Sequence, residues 1–200
     1  MIEKLKKIIS EKKIFFKNNY YEIKVDKRDI VSIVSILKDD ENLFFDQLID
    51  ITAVDYPSRK ERFEIVYILL SLRKNKRIII KTLLNEGDQV DSISSIFESA
   101  NWYERECYDL FGIFFKNHPD LRRIMTDYNF EGHPLRKDFP LTGHTEVRYD
   151  DLEKKVIYEP VKLIQEFRNF DYESPWEGMP NTFQDNNKSD DEDLDERNWS

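Results

Sequence analysis

Residues 101–143 read NWYERECYDLFGIFFKNHPDLRRIMTDYNFEGHPLRKDFPLTG, and the change of character within this stretch decides how the chain is organised. Its first part has helical spacing. Tyr103, Cys107, Leu110 and Phe111 fall on one face, and Gly112 is placed to stop the helix. Asn101 is the predicted N-cap, with Glu104 at the N3 position of a capping box and Glu106 close behind, where the helix dipole favours negative charge. Roughly thirty residues then follow with neither helical nor strand periodicity. Phe114, Phe115, Leu121, Ile124, Met125, Tyr128, Phe130 and Phe139 are spread through them. Disordered segments are poor in aromatics because they cannot bury enough apolar area to offset chain entropy. Structureless loops beyond roughly 12–15 residues are uncommon inside compact domains. An aromatic, arginine-rich arm therefore predicts burial against something else, and hence a subunit with an obligate partner.

Upstream, Leu5, Ile8 and Ile9 predict a short amphipathic helix over Ile2–Ile14, followed by a strand at Tyr20–Val25. Asp26 is the expected cap of a helix carrying Ile30, Ile33, Val34 and Leu37. A helical turn at Leu43–Leu48 leads to a strand at Ile49–Asp55. Arg62–Leu72 and Arg77–Leu84 read as a hairpin about the polar pair Lys74–Asn75. Asp91 or Ser92 would cap a helix reaching Phe97. Downstream, short strands or turns are expected at Glu146–Tyr149 and Val156–Tyr158. Together these predict an α+β fold: a compact domain with a mostly antiparallel sheet and flanking helices, followed by a long extended C-terminal arm. The expected divisions are an α+β body at 1–115, a partner-binding arm at 116–180 and an acidic disordered tail at 181–200.

The totals narrow the function classes. The formal charge is −9. Residues 185–200 hold seven acidic and two basic residues, a net of −5 that leaves −4 for the rest. Neither part has the basic footprint of a nucleic-acid binder. The single cysteine, Cys107, forms no intramolecular disulfide, which suits a reducing compartment, and cannot hold a self-contained iron–sulfur cluster. The apolar runs fall far short of the roughly 20 residues needed to span a bilayer. The N-terminus has neither a secretory cleavage pattern nor transit-peptide character, so the expected setting is a cytosol-like compartment.

Candidate chemistry is sparse. His118, His133 and His144 lack any HxxxH-type spacing, and the expectation is that they hydrogen-bond the arm to its own domain or a partner rather than ligate a metal. Cys107 lies on an apolar helix face between Glu106 and Asp109, an environment that raises a thiol pKa. No GxSxG elbow, GxGxxG loop or P-loop occurs among the five glycines. Glu104, Glu106 and Asp109 could supply acid–base chemistry. Arg105, Arg122, Arg123, Arg136 and Lys137 stand close by, however, so structural or interfacial ion pairs are the favoured reading.

The runs NWYERECYDLFGIFF, NHPDLRRIMTDY and EGHPLRKDFPLTG resemble the C-subunit family of the proton-pumping NADH:quinone oxidoreductase, respiratory complex I. DITAVDYPSRKERFEIVYILLSL upstream, and EVRYDD and EPVKLIQEFRNFDYESPWE downstream, are similar to the same family, so the likeness spans roughly Asp50 to Glu177. The GHPLRKDFPLTG version resembles the bacterial and mitochondrial form, and Cys107 stands where a larger or β-branched residue is expected. The resemblance implies a non-catalytic scaffold of the hydrophilic peripheral arm. It implies no cofactor in this chain, with FMN and iron–sulfur clusters on other subunits. The implied partners are the complex I subunits D, B and I, the first of which helps form the quinone cavity. Membrane contact is implied only through the complex, and no homo-oligomer is expected. The implied location is the cytoplasmic face of a bacterial inner membrane, or the matrix face in a mitochondrion. Glu104, Arg105, Glu106, Asp109, Arg122, Arg123, Arg136 and Lys137 are then expected as structural or interface residues. Rival readings are the equivalent subunit of a membrane-bound hydrogenase-type complex, a transient assembly chaperone, and a freestanding hydrolase using Glu106 and Asp109.

Overall fold

β-branched and aromatic residues in alternation make the centre of the chain a sheet. The computed structural model describes residues 14–17, 20–163, 165 and 168, and the chain divides into two units, Met1–Val161 and Lys162–Ser200. In the first unit, strands β1 (Ile14–Lys17), β2 (Tyr20–Lys24), β3 (Gln47–Asp55), β4 (Phe63–Ser71) and β5 (Lys76–Leu84) form one sheet in the order β1-β2-β5-β4-β3. Within this sheet only the β2–β5 pair is parallel. The domain is thus α+β with a mostly antiparallel sheet.

Register fixes which side chains enter the core. Ile65 opposes Thr82, Tyr67 opposes Ile80 and Leu69 opposes Ile78. On the far side of β4, Ile51 opposes Tyr67 and Ala53 opposes Ile65. All these side chains are buried on one face of the sheet. Burying one large apolar side chain contributes roughly 1.5–3 kcal/mol, so this shared phase specifies the pairing strongly. The hairpin turns at Asn75, whose φ of +49° is a left-handed conformation that asparagine tolerates better than most residues.

Two helices cover the core face. Helix α1 (Ile30–Asp39) buries Ile30, Val34 and Leu37, as its periodicity predicts. Its N-cap is Asp29 rather than Asp26. Asp26 instead forms a turn, accepting from the Arg28 and Asp29 amides. The segment before β3 makes a tight turn at 41–43 rather than helix. Strand β6 (Gln89–Asp91) pairs in parallel with β7 (Phe114–Lys116). The helix expected from Asp91 or Ser92 to Phe97 does not form. Ser92 Oγ instead accepts from the Ser94 amide, and Ile96 and Phe97 both donate to the Ile93 carbonyl, so a turn forms in place of a helical ladder. Helix α2 (Ala100–Phe111) follows, packed against β3.

Helix α2 departs from expectation at its start and conforms at its end. Its N-cap is Ser99, and neither Asn101 nor Glu104 caps it. Glu104 points inward. Gly112 ends the helix at φ +75°. Beyond β7, residues 117–144 contain no helix or strand. β8 (Thr145–Asp150) and β9 (Lys155–Pro160) then form a separate antiparallel hairpin. The helix expected at Ile2–Ile14 lies outside the described residues except for Ile14, which opens β1. The acidic tail at 181–200 and most of the chain beyond Leu163 also lie outside them.

A Cβ added at Gly112 would stand 2.6 Å from the Arg136 guanidinium and from the His133 ring, besides being strained at that φ. Gly112→Ala should therefore lower the unfolding free energy by about 2 kcal/mol or more, measured by urea denaturation.

Candidate interaction surface

The aperiodic segment owes its fixed course to an exchange of hydrogen bonds with helix α2. The last carbonyls of a helix have no intrahelical donors, and α2 has no basic residue in its last turn. The arm supplies the donors. His133 Nδ1–H donates to the Asp109 carbonyl at 2.8 Å, the Leu135 amide to Leu110 at 3.0 Å, and Arg136 Nε to Phe111 at 2.6 Å. The helix reciprocates. Asp109, completely buried, accepts through Oδ2 from the Ile124, Met125 and Thr126 amides, and through Oδ1 from Thr126 Oγ1. Arg123 Nη1 stands 3.5 Å from Asp109 Oδ1 and donates to the Gly132 carbonyl at 3.0 Å.

A second anchor uses the β3–β4 end of the sheet. Asp55 occupies the inward phase of β3 beside Ile51 and Ala53, and its carboxylate is fully buried. Arg62 donates to both of its oxygens at 2.8 and 2.9 Å, a bidentate pair, and the Lys137 amide adds a third donor at 2.8 Å. Arg62 also meets Asp138 at 2.9 Å, while Arg136 meets Glu86 at 2.9 Å and lies over the Phe63 ring. The HPLRKD run is thus tied to helix and sheet within one turn of chain.

The third anchor is internal and acidic. Glu104 is wholly buried. Its Oε2 accepts from Ser92 Oγ at 2.5 Å and its Oε1 from the Ile93 amide at 2.8 Å. His118 lies beside it, with Nε2 3.8 Å from Glu104 Oε2. His118 Nδ1 accepts the Asp120 amide, so Nε2 carries the proton and donates to the Asn101 carbonyl.

Environment separates the carboxyls. The Arg62 guanidinium, with the Lys137 amide, holds Asp55 below the usual carboxylate range. Burial pushes Asp109 up, but the bonds from Thr126, Met125 and Ile124 outweigh it and the carboxyl ends low. For Glu104 burial prevails over the bonds from Ser92 and Ile93, and its carboxyl is pushed up to about 7. Burial likewise pushes up the Cys107 thiol, with Glu106 adding to it; its Sγ–H donates to the Ile51 carbonyl. That thiol is a packed core group rather than a nucleophile.

The remaining residues marked from sequence are placed as follows. Arg105 Nε donates to the Arg122 carbonyl at 2.9 Å and its guanidinium stacks on Trp102. Arg122 pairs with Asp120 at the surface. Lys137 contributes its amide, its residue being exposed. Glu106 is half-buried, and the bonds made by Asp109 go to the arm, so the two do not share a site. Sequence reasoning missed Asp55, Arg62, Glu86, Asp138 and Ser92. For Asp55 a signal existed: an acid at an inward position of an alternating strand demands a buried partner. Of the aromatics, Phe115 is buried and Phe130 and Phe139 are half-buried against each other. Met125, Tyr128, Leu141 and, on β8–β9, Val147, Tyr149, Val156 and Tyr158 are exposed. Among the described residues no cluster of His, Cys, Asp or Glu could hold a metal ion, and no helix is long and apolar enough to cross a membrane.

Two consequences are measurable. Asp109→Ala removes the acceptor for three backbone amides and should cost about 3 kcal/mol or more, with faster proteolysis of the 118–132 segment; Asp109→Asn, which keeps one carbonyl oxygen, should cost less. The Glu104 carboxyl retains its proton in the folded chain between its ordinary value of 4.5 and about 7. Stability should therefore fall as pH rises through that window, by about 3 kcal/mol in all. Asp55 and Asp109 act oppositely, their contribution being lost as pH falls below about 4. Thermal unfolding of the full chain between pH 4 and 8 should show the alkaline-side decline, and Glu104→Gln should flatten it.

The chain is 60% identical to the NADH-quinone oxidoreductase C subunit of Hyphomonas neptunium over 154 residues, covering 77% of this chain and 76% of that one. It is 60% identical to the protein of the same name from Parvibaculum lavamentivorans over 151 residues, covering 76% of each. Its fold is similar to that of a chain in the archaeal membrane-bound sulfane sulfur reductase, with a TM-score of 0.56 at 24% identity, covering 70% of this chain and 85% of that one. The model of the respiratory-chain NADH dehydrogenase 30 Kd subunit family matches residues 23–145, a span that contains the end of β2, both helices, strands β3 to β7 and the anchored segment 117–144. With that match and the identity to those relatives, the chain belongs to the respiratory-chain NADH dehydrogenase 30 Kd subunit family.

Proposed function

We propose that this chain is a non-catalytic scaffold subunit in the peripheral arm of a proton-pumping NADH:quinone oxidoreductase. In this reading it packs against the quinone-site D subunit, close to subunits B and I, and supports electron transfer from NADH to quinone. FMN and iron–sulfur clusters reside on other subunits, and contact with the membrane, at the cytoplasmic face in a bacterium, is made through the complex.

The observation that carries this reading is how the arm is held. Asp109, Glu104, Arg123 and Arg136 use their hydrogen bonds to fasten the chain to itself. The outside of the arm also carries apolar side chains: Met125, Tyr128 and Leu141 are exposed on a backbone that the buried Asp109 and Asp55 carboxylates hold still. A surface fixed before association loses little further chain entropy on binding, which favours a permanent structural contact. The identity to the C subunits of NADH-quinone oxidoreductases supports this complex over a hydrogenase-type one.

A tag on the full chain, followed by gentle solubilisation of membranes, should recover a stoichiometric assembly with NADH:quinone activity. Leu141→Asp, which places a charge on an exposed apolar side chain, should reduce that recovery severalfold while leaving the urea midpoint of the isolated chain unchanged. Recovery of the wild-type chain as a partnerless monomer would overturn the scaffold reading.

A further inference from the structure

One apolar surface of the first unit is not consumed by the arm's anchors. In the β8–β9 hairpin Val147 opposes Tyr158 and Tyr149 opposes Val156, so these four side chains share one face. Each is more than half exposed. The opposite face carries Arg148 and Glu159, which form an ion pair. A two-stranded hairpin is marginally stable in water, and an uncovered apolar face adds nothing to hold it. At one end, through Val147 and Tyr158, this face runs into a cleft of about 460 Å³ shared with the 127–131 loop, Phe139 and His144.

The cleft has a definite chemistry. Phe139 lies between two other rings, 5.8 Å from Phe130 and 5.4 Å edge-on from His144. Tyr128 and Tyr158 also line it. Asp127 and Glu131 are its carboxylates, and no lysine or arginine lines it. Asp127 accepts from the Tyr128 amide and from Tyr158 Oη. Glu131 makes no hydrogen bond to another described residue. Aromatic faces with two carboxylates and no cation suit a guanidinium, which stacks flat on a ring while its N–H fork meets a carboxylate. The adjoining hairpin face suits aliphatic or aromatic neighbours of that arginine.

We propose that this cleft and the apolar face of β8–β9 together dock a segment of a neighbouring subunit that presents an arginine between apolar residues. The inference rests on the subunit reading above. Charge complementarity selects the occupant: a segment supplying apolar side chains alone would leave Glu131 and Asp127 facing a desolvated contact without a counter-charge, which is costly.

The test uses the whole complex purified through the tagged chain. A photo-crosslinking benzoylphenylalanine replacing Val147 should yield, on irradiation and peptide sequencing, one apolar, arginine-containing peptide of another subunit. Crosslinks confined to residues 162–200 of this chain, to a second copy or to lipid would overturn the proposal. In parallel, the Asp127→Asn, Glu131→Gln double variant should weaken retention of the chain in the complex at raised salt by roughly tenfold, as expected for loss of charge-assisted bonds. Glu131→Gln alone breaks no bond within the described chain, so its smaller loss reports on binding rather than folding. Retention of both variants at the wild-type level would overturn the proposal while leaving the subunit reading intact. Failure of the wild-type chain to enter any NADH:quinone-active assembly would instead overturn both.

Discussion

The structure depends on the reciprocal capping of helix α2 and the arm across Gly112. Three carbonyls at the end of the helix need donors, and three amides of the arm need an acceptor. His133, Leu135 and Arg136 meet the first need, and the Asp109 carboxylate meets the second. Neither side could be buried without the other. The crossing is close because residue 112 has no Cβ, so the His133 ring and the Arg136 guanidinium can sit against the helix terminus. A long aperiodic stretch thereby acquires the order of a secondary-structure element without forming one.

Three buried acids then divide the electrostatic work. Asp55 and Asp109 are ionised and surrounded by donors, among them the bidentate Arg62, which is itself held by Asp138. Each loses a great deal if a donor is removed, because the uncompensated charge would remain inside. Glu104 has only two donors, and His118 beside it directs its proton to the Asn101 carbonyl rather than to the carboxylate. Burial therefore favours its neutral form. The arm is thus fastened by charge at two points, while the near-neutral, hydrogen-bonded Glu104 ties helix α2 to the chain that follows β6.

This division separates what the chain does for itself from what it offers outward. Arg123 and Arg136, prominent in the sequence as candidate interface cations, donate within the chain. Glu106 and Asp109, the pair considered for acid–base chemistry, face different surroundings, and Cys107 is packed against β3. Large apolar side chains are also turned to the outside on the arm and on β8–β9, among them Met125, Tyr128, Leu141, Val147 and Tyr158.

Elements with a strong period could be read without the fold. β3, β4 and β5, the Asn75 turn, helix α1, and the stop of α2 at Gly112 were legible because alternation, 3.6-residue spacing and left-handed φ are local properties. The order and irregularity of the arm were legible too, since aromatic content and lack of period conflict with both disorder and regular structure. Where the polar groups went was settled by the folded chain. Glu104 has the spacing of a capping box, yet it is drawn inward because the Ser92 hydroxyl and the Ile93 amide, brought alongside by β6 pairing with β7, need an acceptor more than the exposed helix start does. The same residues expected to begin a helix at Ser92 are spent on that bond. The Asp55–Arg62 pair was hidden for a like reason: seven residues apart, it is brought together by the β3–β4 register and completed by an amide 82 residues downstream. Periodicity reports which face a residue takes, whereas the partner of a buried polar group is set by whatever chain the fold lays beside it.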